Sequence, residues 1–99
     1  MKNIAVFSSG RGSNFKSIHR HIQAGEIPGL IILLISNNSD SDSIKYAREY
    51  NIPTLIINKI RYPNPVDREK LLIQALIEKD VDLICLAGYM KLIPKSIIH

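Results

Sequence analysis

Four short, nearly unbroken apolar runs alternate along the chain with segments in which apolar residues recur every three or four positions. Ile4-Ala5-Val6-Phe7, Leu30 through Ile35, Thr54-Leu55-Ile56-Ile57 and Val81 through Leu86 are the runs, and continuous apolarity of this kind marks strands buried on both faces, as in a parallel sheet. Between them, Phe15, Ile18 and Ile22 form one helical stripe. Ile44, Ala47 and Tyr50 form a second, and Leu72, Ala75 and Leu76, with Leu71 and Ile73 at its margins, form a third. Strand and helix therefore alternate throughout. The predicted fold class is α/β, a doubly wound open parallel sheet of Rossmann-like type, with right-handed crossovers and strand order three-two-one-four.

The breaks between segments fit this pattern. Gly25-Glu26-Ile27-Pro28-Gly29 ends the first helix, and Asp40, Ser41 or Asp42 caps the second, which Asn51-Ile52-Pro53 stops. Strand three is short and follows Pro53, which places it near a sheet edge. Asn64-Pro65-Val66-Asp67 supplies a capping side chain, a proline at the first helical position and an acid in the first turn, so helix three opens there and runs to about Lys79. After strand four, Ala87 to Ile93 reads as a loop, and Pro94 begins a fourth helix. A sheet ending at strand four has a bare edge, from which self-association is expected.

The junction Ser8-Ser9-Gly10-Arg11-Gly12-Ser13-Asn14 lies where the first strand pattern stops and the first helical one starts. A helix N-terminus offers N–H groups without intrahelical partners and the positive end of the dipole, so it attracts anions, phosphate above all. Gly10 and Gly12 permit close approach of the backbone, while the Ser13 hydroxyl and the Asn14 amide can add hydrogen bonds. A plain turn with a Ser or Asn cap accounts for the same residues, and the two readings stay open at this point. Two better-known loops do not fit. Phe15 stands where a dinucleotide fingerprint needs a third small residue, no acid ends strand two, and no Gly-Lys-Ser or Gly-Lys-Thr occurs. A single phosphate group suits the loop better than a triphosphate.

With 45% hydrophobic and 22% charged residues among 99, the chain reads as one folded unit rather than a disordered one, and no apolar run reaches the ~20 residues of a membrane span. The opening Met1-Lys2-Asn3 is unlike a signal peptide, and a cytoplasmic protein is expected. Cys85, the single cysteine, lies in an apolar run and is expected to be a buried thiol. A net charge of +4 favours anionic ligands, but the basic residues are dispersed and no aromatic-interleaved stripe points to nucleic acid. His19 and His21 are two apart on a helix and make no metal-ligand spacing with Cys85; they are expected at solvated helix positions, and no metal is expected. His99 is terminal.

The two loops together carry a resemblance. Ser9-Gly10-Arg11-Gly12-Ser13-Asn14 after strand one, Ser36-Asn37 after strand two, Asp67-Arg68-Glu69 in helix three and Leu86-Ala87-Gly88-Tyr89-Met90-Lys91-Leu92-Ile93 after strand four, in this order and spacing, resemble the phosphoribosylglycinamide formyltransferases over essentially the whole chain. The resemblance implies that residues 1–99 are the N-terminal, four-stranded, nucleotide-binding-type portion of a formyltransferase fold. It implies transfer of a formyl group from 10-formyltetrahydrofolate to the amine of glycinamide ribonucleotide in purine biosynthesis. Gly12, Ser13 and Asn14 then fall on the family's substrate-phosphate residues, and Met90, Lys91, Leu92 and Ile93 on its folate-contacting loop. Where the family often carries a folate-contacting arginine, this chain reads Tyr62-Pro63-Asn64-Pro65, with Arg61 and Arg68 the nearest guanidinium groups. The family's catalytic Asn, His and Asp have no counterpart within these 99 residues, so the resemblance implies that this chain alone is inactive. Rival readings are another folate formyl enzyme, such as formyltetrahydrofolate hydrolase, and a non-catalytic half-domain that holds a phosphorylated ligand.

Overall fold

The computed structural model describes residues 1–86 and the backbone of residues 89–92. Chain order is β1 (Lys2–Phe7), α1 (Ser13–Gln23), β2 (Gly29–Ser36), α2 (Asp42–Glu49), β3 (Thr54–Ile56), α3 (Pro65–Glu78), β4 (Leu83–Leu86) and β5 (Tyr89–Leu92). The strands form one sheet in the order β3-β2-β1-β4-β5, and the first four are parallel, as the alternation of patterns predicts. β5 corrects the reading of Ala87 to Ile93 as a loop. It runs antiparallel to β4, with Leu86 opposite Tyr89 and Leu83 opposite Leu92. Only two residues separate the strands, the spacing of a hairpin, and an antiparallel partner needs no crossover helix. The bare edge expected beside β4 is therefore occupied by β5. The helix expected from Pro94 lies outside the described residues.

Alternation along each strand divides the core between the two sheet faces. Ile4, Val6 and Cys85 point to the side covered by Phe15 of α1 and by Ile44 and Ala47 of α2, and Cys85 is buried there. Ala5, Leu33 and Ile35 point to the other side, where α3 brings Leu76, Leu72 and Ala75. A register shift inserts one residue in β2: Ile4 pairs with Ile31 but Ala5 with Leu33. This bulge is why Ile31 and Leu34, three apart, serve one face while Ile32 and Leu33 serve the other.

Helix ends follow local chemistry. Ser41, one of three candidate caps, opens α2 by accepting a hydrogen bond from the Ile44 N–H at 3.3 Å, and Asn64 accepts from the Val66 N–H at 2.9 Å to open α3. Gly25, at φ 79°, follows the C-terminal cap of α1, as the breaker pattern predicts.

His19 is a second correction. It was expected in solvent, yet it is only 9% exposed. Position 19 falls four after Phe15 and three before Ile22, on the buried stripe itself, so the periodicity places it inward whatever its polarity. Its Nδ1 lies 2.8 Å from the Tyr46 hydroxyl of α2, and its ring meets those of Tyr46 and Tyr50 edge-on. Burial, and then the neighbouring Tyr50, raises the Tyr46 pKa, so near neutral pH the phenol keeps its proton and can donate it to a neutral imidazole. Burial lowers the His19 pKa in turn. The unfolded chain then binds this proton more readily than the folded one. His19 therefore contributes full stability above its ordinary value of about 6.5, and that contribution fades as pH falls from there toward the depressed folded value. Urea midpoints should drop between pH 7.5 and 5.5, and should drop less in His19→Gln, which has nothing to titrate.

Candidate functional site

β1 delivers Ser8 and Ser9 to the carboxyl end of the sheet, and the loop Gly10 to Gly12 turns the chain into α1. The cap of α1 is Gly12, at φ 73° and ψ 30°, and no side chain bonds to the exposed N–H groups of this first turn. α2 and α3 are both capped by a side chain, so α1 differs from them at the end where the sequence left two readings open. A plain side-chain-capped turn is not what forms. The first turn of α1 contains no acid, and Arg11 stands exposed beside it. That is the electrostatic setting an anion requires.

In front of this turn is a cavity of about 340 Å³ lined by Ser8, Ser9, Gly12, Ser13, Asn14 and Cys85, among others. Gly12, Ser13 and Asn14 are thus brought to one concavity, with Ser13 and Asn14 exposed to incoming solute. Their setting depends on a residue that sequence reasoning missed. Ser43, in the first turn of α2 and fully buried, donates from both N–H (3.3 Å) and Oγ (3.2 Å) to the Gly10 carbonyl. Its Oγ also lies 2.7 Å from the Ser8 Oγ. The only sequence signal was its place two residues after the cap Ser41, which says nothing of a contact 33 positions away. Ser9 closes the rim toward β2, its Oγ accepting from the Asn37 N–H at 3.1 Å. That bond gives the Ser36-Asn37 motif a structural purpose.

A larger cavity of about 740 Å³ lies around the other face of the same sheet end, floored by Phe7, Ile35, Ile57 and Leu72 and rimmed by Asn58 and Arg68. Arg68 Nη1 donates to the Tyr62 and Pro63 carbonyls at 2.8 and 3.1 Å, so this guanidinium ties the preceding loop to α3. Arg61 is exposed, and its N–H is held by Asn58 Oδ1 at 2.8 Å. Neither arginine lines the cavity at the α1 N-terminus. Met90, Lys91 and Leu92 lie on β5, paired with Cys85, Ile84 and Leu83, while Ile93 falls outside the described residues. Among the described residues, no group of three or more His, Cys, Asp or Glu side chains could hold a metal, and no helix is long and apolar enough to cross a membrane.

Fold and site together define a doubly wound α/β domain whose β1–α1 junction presents an open helix N-terminus. The chain belongs to the formyl transferase family, whose model matches residues 2–99. It is 40% identical over 99 residues to the chloroplastic phosphoribosylglycinamide formyltransferase of Arabidopsis thaliana, covering 99% of this chain and 34% of that protein. To the Bacillus subtilis phosphoribosylglycinamide formyltransferase it is 34% identical over 99 residues, covering 100% of this chain and 51% of that one. Among solved structures, glycinamide ribonucleotide transformylase 1 from Geobacillus kaustophilus superposes with a TM-score of 0.83 at 33% identity, covering 99% of this chain and 52% of that one. The chain thus spans between about a third and about half of the length of these relatives, and corresponds to their N-terminal part.

Proposed function

We propose that this chain forms the substrate-phosphate half-site of a phosphoribosylglycinamide formyltransferase, acting in purine biosynthesis on glycinamide ribonucleotide. The observation that carries this reading is the α1 N-terminus: capped by a left-handed glycine, free of acids and open to a cavity of about 340 Å³. Gly12 and the backbone N–H groups after it would receive two phosphate oxygens, and Ser13 Oγ and Asn14 Nδ2 would add side-chain bonds. The names and alignments of the relatives support the choice of nucleotide.

Bound 10-formyltetrahydrofolate would supply the carbon that the substrate amine attacks. Met90, Lys91, Leu92 and Ile93 suit its flat ring in residue type, a flexible thioether and two branched apolar side chains around one cation, and β5 sets the first three beside β4. Anchoring the phosphate fixes where the ribose and its amine lie, which is the positioning contribution these residues can make. Proton transfer from the amine and stabilisation of an oxyanion need a positioned acid–base pair. His19 is committed to Tyr46 and His21 lies 2.5 Å from Glu26, so neither is placed for that work. Among the described residues no histidine takes that part, and the role we assign to this nucleotide-binding-type unit is to bind and place the substrate. A reducing, cytoplasm-like compartment fits a chain whose single cysteine, Cys85, is buried.

Titration with glycinamide ribonucleotide, followed by amide NMR, should move the Gly10 to Asn14 resonances. The double variant Ser13→Ala, Asn14→Ala should bind at least about tenfold more weakly, as expected for losing two hydrogen bonds to a charged group. A folded protein whose loop amides stay still at millimolar nucleotide overturns the reading.

A further inference from the structure

Ser43 lies behind the phosphate loop rather than in its cavity. It touches the loop in two ways. Its N–H and Oγ both donate to the Gly10 carbonyl, at 3.3 and 3.2 Å, which ties that carbonyl to α2, and Gly10 is not among the residues lining the cavity. Its Oγ also lies 2.7 Å from Ser8 Oγ, which links the end of β1 to the same serine. The second contact is steric. A Cβ on Gly12 would collide with Ser43 Oγ and would stand 3.3 Å from Ser43 Cα, so Ser43 fills the space that the left-handed Gly12 leaves empty.

We propose that Ser43 is the positioning residue of this anion loop: from α2 it fastens the Gly10 carbonyl and buttresses Gly12, so that the loop meets a phosphate with N–H groups already aimed. This rests on the phosphate reading above and extends it to a residue on another helix. Nothing in Ser43 touches the ligand. Its effect is preorganisation, since a loop free to present the Gly10 carbonyl would repel the anion and would have to be reordered on binding.

The test uses inorganic phosphate as the probe, with amide NMR on the wild-type chain, Ser43→Ala, Gly12→Ala, and Gly12→Ala combined with Ser43→Gly. Ser43→Ala should keep a dispersed spectrum, lower the order parameters of Gly10 to Gly12 without ligand, and weaken phosphate binding about tenfold, the effect of one buried hydrogen bond. Gly12→Ala should bind weakest, and Ser43→Gly in that background should recover part of the affinity by clearing the space. A merely structural serine would shift the melting temperature and leave both affinity and loop order at temperatures where the variant is folded. That result overturns the proposal while the phosphate reading stands, provided the wild type binds and the Ser13, Asn14 double variant does not. If the wild type itself binds no phosphate, both fall. Should Ser43→Ala fail to fold, the Gly12 and Ser43 pair decides, and no recovery of affinity refutes the buttress.

Discussion

Phe15→Ala is expected to cost about 3–5 kcal/mol, the usual range for emptying a fully buried aromatic site. Against a typical stability of roughly 5–15 kcal/mol for a domain, that leaves a substantially unfolded population. Phe15 is fully buried, at the third position of α1, in the cluster that joins Ile4 and Val6 of β1 to Ile44 and Ala47 of α2, and its ring stands edge-on to Tyr46 at 5.4 Å. No other side chain of α1 is as deeply placed. Chemical denaturation should show a lower midpoint at an unchanged slope, the signature of lost stability without a changed denatured state. A midpoint within the error of the wild type would mean that the cluster repacks around the hole. The same residue separates this loop from a dinucleotide fingerprint, because its bulk occupies the position where that motif needs a small residue for close packing of helix on strand.

How far the sequence reached depended on whether an interaction was local. Each of the four parallel strands and three helices could be placed within a few residues because apolar runs and stripes are properties of neighbouring positions. Caps were as readable: Asn64 opens α3 as its Asn-Pro-x-Asp context predicts, and Ser41 was one of three candidates for α2. β5 was missed because Tyr89-Met90-Lys91-Leu92 alternates too briefly to stand apart from a loop, and only its pairing with β4 makes it a strand. At His19 polarity predicts solvent and periodicity predicts the core, and periodicity prevails. The buried site was tolerable because Tyr46, 27 positions away, supplies a hydroxyl, and no reading of α1 alone contains that information. The candidate site divides in the same way. Gly12, Ser13 and Asn14 were legible as a glycine loop running into a helix. Ser43 was not, because what it does is fixed by the crossing of α1 and α2 at the sheet end.

Gly12→Ala separates the two kinds of information. At φ 73° a non-glycine residue pays left-handed strain of about 1–2 kcal/mol, as any sequence-level argument about glycine anticipates. The added Cβ also runs into Ser43, which is buried and held by the Gly10 carbonyl and Ser8, so relief requires the loop or the α2 start to move. Together these should destabilise the chain by about 2–3 kcal/mol, less than Phe15→Ala, because the loop can shift where a core cannot refill. Binding should rank the other way. The helix N–H groups that face the cavity are aimed by Gly12, so displacing them should weaken phosphate or nucleotide binding well beyond tenfold, whereas Phe15→Ala, measured at a temperature where the variant is folded, should change affinity only modestly. Calorimetric stability and NMR affinity on the two variants give the comparison directly. If Gly12→Ala binds like the wild type, the loop reshapes at no cost to the anion site, and the left-handed cap is a matter of folding alone.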